Sequence, residues 1–310
     1  MKYRVTHKTR YVYGASVPLS HNVLRLHPRR TPWQTCHEFE LAIDPIPAQR
    51  RERIDFFGNH ETWISVQEPH RELNIEGRGE IETSEHKELS AVAAPAWDRV
   101  PAILSSRLDG EYLAAREYTF DSPMIQRCPE LAEYAAPSFA AGANLIECVV
   151  NLTQRIFDEF KFDKKSTTIG TPILEVLAQR SGVCQDFAQL EIGCLRSMGL
   201  PARYVSGYVV TKPPPGQERL VGADASHAWV SVFVPEHGWL DLDPTNGLVP
   251  NDEHITLAWA RDYSDIVPIK GVVTGGQQHS LFYSVDVAPV DDGSSPEALE
   301  ADDGSESKSE

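Results

Sequence analysis

The sequence lacks paired cysteines and long apolar runs. Its five cysteines form no Cys-x-x-Cys motif, which argues against a zinc ribbon and against a thioredoxin-type redox site. No apolar stretch approaches the roughly 20 residues that a transmembrane helix needs. The N-terminal residues alternate as a strand would and lack the apolar centre of a signal peptide. We therefore predict a cytoplasmic protein, with no membrane partner and with no metal or other cofactor.

Positive charge is also scarce. Lys and Arg number 29 against 45 Asp and Glu, which gives a net charge of −16. A surface without a basic stripe cannot neutralise phosphates, so nucleic acid is not a predicted partner. Much of the acidity lies in residues 291–310, which hold eight acids and one lysine. This tail has too few apolar side chains to form a core and is predicted to be disordered.

Length and patterning divide the remaining chain into three parts. Residues 1–84 contain short strand-like runs between proline and glycine turns, which predicts an antiparallel β-sandwich or barrel-like domain. Residues 85–143 are predicted to be a linker and a helical connection. Residues 144–290 are predicted to form a core with C-terminal strands. The β-rich domain either only supports this core or also borders its cleft and selects substrates; its sequence does not decide between the two.

A helix is predicted from about Cys184 to Gly199. Ser181 is its predicted cap, and the glycine ends it. Cys184 therefore lies where unpaired N–H groups and the positive end of the helix dipole favour a thiolate, as a nucleophile requires. Cys194 is predicted to be an inert core residue. The apolar side chains recur at helical spacing on one face: Phe187, Leu190, Cys194, Leu195 and Met198.

Two predicted strands supply partners for this cysteine. His227 opens an apolar, β-branched run, and after a turn a second short strand ends at Asp243 and a proline. Adjacent antiparallel strands can bring an imidazole and a carboxylate together, and a Cys/His/Asp set is the arrangement of an activated thiol. Asp241 lies two residues earlier and points to the same face of the strand, so alternation alone does not choose between the two aspartates.

Three blocks of sequence occur in a fixed order: GVCQDFA, RSMGLPARYVSGY and DASHAWVSVFVPEHGWLDLDPTNG. Together they resemble the bacterial transglutaminase-like cysteine enzymes, which are related in fold to papain. The resemblance implies an α+β protein in which a helix bearing the cysteine packs on an antiparallel sheet bearing the histidine and aspartate. It implies Cys184 as nucleophile, His227 as base and Asp243, in its Asp-Pro-Thr motif, as the orienting carboxylate.

The chemistry implied is acyl transfer through a thioester on a peptide or protein amide. Water as acceptor gives a peptidase or amidase, and an amine gives a transamidase. Bacterial family members are more often regarded as hydrolases, so we favour hydrolysis over transamidation and over a catalytically silent interaction module. Trp229 and Tyr208 are predicted either to bind substrate or to be core residues. The oligomeric state is not predicted. The backbone N–H of Cys184 can donate to the oxyanion that forms, but the side chain that would be a second donor is not predicted.

Overall fold

The computed structural model describes residues 1–84, 94–211 and 225–290. The predicted acidic tail, residues 291–310, and part of the predicted linker, residues 85–93, lie outside the described residues. No helix in the described part of the chain is long and apolar enough to cross a membrane.

An N-terminal run of strands is followed by a mainly helical segment, and a second run of strands ends the described part of the chain. The strands are β1 (Lys2–Val17), β2 (Leu19–Leu24), β3 (Gln34–Asp44), β4 (Gln49–Ile54), β5 (His60–Val66), β6 (His70–Thr83), β7 (Lys161–Phe162), β8 (Ser181–Gly182), β9 (Ala202–Val209), β10 (Ala225–Val234), β11 (Gly238–Leu242), β12 (His254–Ala260), β13 (Ile269–Thr274) and β14 (His279–Pro289). The helices are α1 (Val100–Ser106), α2 (Gly110–Arg116), α3 (Pro129–Ala135), α4 (Leu145–Glu159), α5 (Ile173–Gln179) and α6 (Cys184–Ser197).

The N-terminal part is built from two antiparallel sheets, with strand orders β14-β1-β6-β3 and β13-β2-β5-β4. Side chains in β1 alternate between buried and exposed, which is typical of a strand with one face on a core. Strands from both sheets contribute to one apolar cluster that includes Val17, Leu24, Ile64 and Ile75. The predicted antiparallel β-sandwich is confirmed.

The last two strands return to these N-terminal sheets. β13 pairs with β2, and β14 pairs with β1 over its whole length. Sequence patterning groups all residues up to 290 with the core, whereas in the structure β13 and β14 extend the two sheets of the sandwich. Alternation within β14 identifies a strand but not its partner, because pairing over more than 200 residues leaves no local signal.

The core is a helical layer on a third antiparallel sheet of order β11-β10-β9-β12. Helix α6 packs on β10, and Phe187, Leu190, Cys194 and Leu195 of its apolar face are buried, as is Val230 of the strand. Burial of each such Leu or Val side chain stabilises the fold by about 1.5–3 kcal/mol. Cys194, predicted to be a core residue, is buried, and so is Cys148. The predicted α+β fold is confirmed.

Two amide side chains join the sandwich to the core sheet. β12 is an edge strand, so its outward backbone groups need partners from elsewhere. The Gln34 side chain bonds to both the N–H and the C=O of Thr256, at 2.7 and 2.8 Å. The Asn59 side chain likewise bonds to the N–H and C=O of Trp259, at 3.0 and 2.9 Å. The sandwich is therefore fixed against the sheet that carries the candidate site.

Candidate active site

Helix α6 begins at Cys184, as its sequence predicts, but its cap is different. Ser181 belongs to β8, and the residue before the helix is Val183, which has no side-chain acceptor. Asp186 closes the first turn instead: its carboxylate accepts from the Val183 N–H at 2.8 Å and from the Thr167 hydroxyl at 2.6 Å. A carboxylate in the first turn also suits the positive end of the helix dipole. The Ser181 prediction is wrong because the chain at that residue pairs with β7.

His227 and Asp243 lie on neighbouring strands. His227 is on β10. Asp243 directly follows β11, the strand that pairs with β10 in a hairpin. The Nε2 atom of His227 is 2.7 Å from Oδ2 of Asp243. Cys184 lies beside the same imidazole, where it helps to raise the pKa of His227, and both side chains line one cleft. The structure thus brings the three predicted residues together in one row, in the order Cys184, His227 and Asp243.

Asp241, the rival to Asp243, has another partner. Its Oδ2 accepts from the indole N–H of Trp229 at 3.1 Å, and both side chains are buried. Trp229 is therefore in the interior, which is one of the two alternatives its sequence left open. Tyr208 is also fully buried and its hydroxyl lies 2.8 Å from Nδ1 of His7. Neither aromatic side chain lines the cleft beside Cys184.

Two further residues hold the Asp243 carboxylate, and sequence reasoning missed both. His254 Nε2 lies 3.1 Å from Oδ2, and Asn246 Nδ2 donates to the same oxygen at 2.7 Å. The backbone N–H groups of Thr245 and Asn246 donate to Oδ1 at 2.9 and 3.2 Å. Asp243 carried a signal for its bond to the Thr245 N–H, because Asp side chains bond to the backbone two residues on, but the side-chain bond from Asn246 had no such signal. His254 carried none, since it reaches the site only through the pairing of β12 with β9.

The electrostatics of the row favour an imidazolium beside a carboxylate. Burial alone would lower the pKa of His227, but the hydrogen bond to Asp243 and the adjacent Cys184 raise it from 6.5 to about 10. Burial alone would raise the pKa of Asp243, yet its bonds to His227 and His254 hold it well below its usual range. Asp243 is thus ionised at neutral pH and stabilises the protonated ring.

His227 and Asp243, together with His254, could also hold a metal ion. Among the described residues, His227, Asp243 and His254 each offer one ligand atom, and these atoms lie within 4.8 Å of one another. Two imidazoles and a carboxylate are ligands that several transition metals accept. The same atoms bond directly to each other at 2.7 and 3.1 Å, so no ion is needed to satisfy them. The absence of a metal stays a prediction.

Cys184 and His227 open onto a cleft of about 330 Å³. Its walls come from the start of α6, from β9 and β10, and from β1 and β14 of the sandwich. Cys184 is half-buried and lines this cleft. The sandwich therefore borders the candidate site, which is one of the two roles that its sequence left open.

Family comparisons agree with this architecture. The bacterial transglutaminase-like N-terminal region matches residues 3–82, and the transglutaminase-like superfamily matches residues 133–244. The fold is similar to that of a candidate cysteine protease from Cytophaga hutchinsonii, with a TM-score of 0.74 at 21% identity, over 96% of this chain and 93% of that one. At this identity the likeness shows the fold alone.

Sequence relatives cover different lengths of the chain. An uncharacterized protein of Mycobacterium tuberculosis is 40% identical over 295 residues, which are 94% of this chain and 93% of that protein. The protein-glutamine gamma-glutamyltransferase of Pseudomonas aeruginosa is 43% identical over 72 residues, 23% of this chain and 11% of that protein. With both family regions matched in order and a relative of nearly full length, the chain belongs to the transglutaminase-like superfamily and carries its bacterial N-terminal region.

Proposed function

We propose that the protein is a cysteine-dependent amide hydrolase, a peptidase or amidase, with Cys184 as nucleophile, His227 as base and acid, and Asp243 as orienting carboxylate. The observation that carries this proposal is the row in which Cys184 lies beside the His227 imidazole and the imidazole is 2.7 Å from Asp243. Such a row activates a thiol, because the imidazole can take its proton while the carboxylate stabilises the imidazolium that forms.

Acylation begins when the Cys184 sulfur attacks the carbonyl carbon of the amide and an S–C bond forms. The carbonyl oxygen becomes negative, and the backbone N–H of Cys184 can donate to it, since N–H groups in the first turn of a helix have no intrahelical acceptor. His227 Nδ1 gives its proton to the nitrogen as the C–N bond breaks. An amine leaves, and a thioester remains. A His227 pKa of about 10 keeps this proton on the ring at neutral pH.

Deacylation decides between the two enzymatic activities. Water attacks the thioester, His227 accepts a proton from it, and the release of a carboxylic acid restores the thiol. Hydrolysis is favoured because Cys184 is only half-buried and its cleft opens to solvent. An amine in place of water would give transamidation, which the short stretch of similarity to a glutamyltransferase keeps as the alternative. A silent interaction module is disfavoured because the row of three residues is intact.

The substrate proposed is a peptide or protein amide, and the proposed location is the cytoplasm. All five cysteines are free, which is typical of a reducing compartment. The acidic net charge favours neither nucleic acid nor anionic membrane as a partner.

A peptide-amide library with and without a primary amine tests the function. Mass spectrometry should find free acids as the main products even when the amine is present, and none with Cys184→Ala. Cys36→Ala is the matched control, because Cys36 is also half-buried but lies in the sandwich. Amine conjugates as the main product would establish transamidation instead. Full activity of Cys184→Ala would contradict the proposal.

A further inference from the structure

The cleft beside Cys184 is lined almost wholly by aromatic, aliphatic and small side chains. Four tyrosines contribute to it: Tyr11, Tyr204, Tyr263 and Tyr283. Aliphatic side chains, among them Ile169 and Leu281, extend the apolar surface. Ile169, Leu281 and Tyr283 stand at its rim and are 63%, 49% and 65% exposed, whereas Tyr204 in the floor is buried. Large exposed apolar groups around a cleft lose contact with water when a ligand fills it, which favours an apolar ligand.

Carboxylate, lysine and arginine side chains are missing from the walls that the structure describes. Among the described residues that line the cleft, none is Asp, Glu, Lys or Arg. His7 in the floor is held neutral, because burial lowers its pKa to about 4, and its two ring nitrogens bond to Tyr208 and Thr9 at 2.8 and 2.9 Å. The charged ring that lines the cleft, the His227 imidazolium, is already paired with Asp243 at 2.7 Å. A charged group that enters the cleft would therefore lose its hydration without gaining an unpaired counter-ion, which is costly.

Both parts of the protein build these walls. His7, Thr9 and Tyr11 lie on β1, and Leu281 and Tyr283 lie on β14, so one wall belongs to the sandwich. The facing wall carries Cys184 and His227. An acyl group bonded to the Cys184 sulfur therefore starts inside the cleft and meets the sandwich.

We propose that the cleft is the acyl-binding site and that it takes an uncharged, apolar or aromatic acyl group, selected by the β1–β14 wall of the sandwich. This inference rests on the proposed function in taking Cys184 as the acylated atom. It assigns the N-terminal domain a role in substrate selection as well as support.

Alkylation of Cys184 tests this selectivity without any turnover. The probes are N-benzyl-2-iodoacetamide, iodoacetamide and N-carboxymethyl-2-iodoacetamide; in each the sulfur bonds to the methylene carbon and iodide leaves. Rates at Cys184 are measured by intact mass and peptide mapping and divided by the rates for glutathione. The benzyl probe should react roughly 10–100-fold faster than iodoacetamide, and the carboxylate probe should be the slowest.

Two neighbouring substitutions give a matched pair. Leu281 lines the cleft, whereas Phe282 is on the opposite face of β14; both are about half exposed, at 49% and 58%, so a lysine should be tolerated at either position. Leu281→Lys should lower the benzyl-to-carboxylate rate ratio by about tenfold, and Phe282→Lys should leave it within about twofold. Both variants change the net charge of the protein by the same amount. A difference between them therefore reports the effect of placing the charge in the cleft.

Three results would overturn the inference: equal corrected rates for the probes, equal effects of the two lysines, or no alkylation of Cys184 by any probe. The proposed function can fail separately. A benzyl preference in a protein without amide turnover supports the cleft and contradicts the hydrolase. Amide hydrolysis that depends on Cys184, together with equal probe rates, supports the hydrolase and contradicts the acyl preference.

Discussion

The Nε2 atom of His254 lies 3.1 Å from Oδ2 of Asp243, which ties strand β12 to the candidate orienting carboxylate. His254 is buried, and its ring meets Trp229 edge-on at 5.3 Å, so its position is fixed by packing. We interpret His254 as a positioning residue: it holds Asp243, and Asp243 holds His227.

His254→Ala should reduce kcat by about tenfold with little change in KM, because the carboxylate loses one of its hydrogen bonds but the cleft is unchanged. His254→Gln keeps an N–H donor and should restore most of the activity. Steady-state kinetics with circular dichroism as a folding check measure both variants. Dialysis of the wild type against EDTA should leave its activity unchanged; a loss that zinc restores would instead make His254 a metal ligand.

The pH dependence should report on the pair of His227 and Asp243. The folded-state pKa of His227, about 10, is above its unfolded value of 6.5, so the protonated ring is the stabilised form. The stability it contributes is fully present below pH 6.5 and is lost as the pH rises through about 10. Activity that needs the imidazolium should fall over the same range.

Asp243→Asn removes a carboxylate that raises the pKa of His227. The alkaline limb of the rate profile should therefore move to lower pH by about one unit or more. Asp241→Asn is the control, because Asp241 bonds to Trp229 and not to His227. If the alkaline limb moves with Asp241→Asn and stays in place with Asp243→Asn, then Asp241 is the orienting carboxylate and the assignment to Asp243 is wrong.

Alkylation should select Cys184 among the five cysteines. Burial raises the pKa of the other four thiols, to about 11 for Cys36, and Cys148 and Cys194 are also inaccessible. Cys184 alone lies at a helix start beside His227. Iodoacetamide at neutral pH, followed by peptide mapping, should modify it first. Uniform labelling of all five would contradict an activated thiol.

Gly207 is a position in the core sheet that has no room for a side chain. It pairs with His227 across β9 and β10, and a Cβ there would collide with the Ile255 carbonyl oxygen and the Trp229 ring. Gly207→Ala should lower the free energy of unfolding by about 1–3 kcal/mol or more, measured by urea denaturation. Gly110→Ala is the control, because nothing lies within 4 Å of its Cβ position, and it should be nearly neutral. Equal stability of the two variants would mean that the sheet relaxes around residue 207.

The candidate site was predictable where its signals are local. The helix at Cys184 follows from apolar spacing, and the hairpin that carries His227 and Asp243 follows from two strands with a short turn. Ser181 was misjudged because β8 pairs with a strand 20 residues earlier. Leu281 in the cleft and His254 against Asp243 depend on pairings across the chain, for which a single sequence has no local signal.

The most direct test of the account is the activity of Cys184→Ala, His227→Ala and the double variant on one amide substrate. Each single change should reduce kcat by several orders of magnitude, and the double variant should be hardly worse than either, because the two side chains act as one unit. Circular dichroism confirms folding in each case. Full activity of Cys184→Ala, or losses that simply multiply in the double variant, would contradict a thiol nucleophile activated by His227.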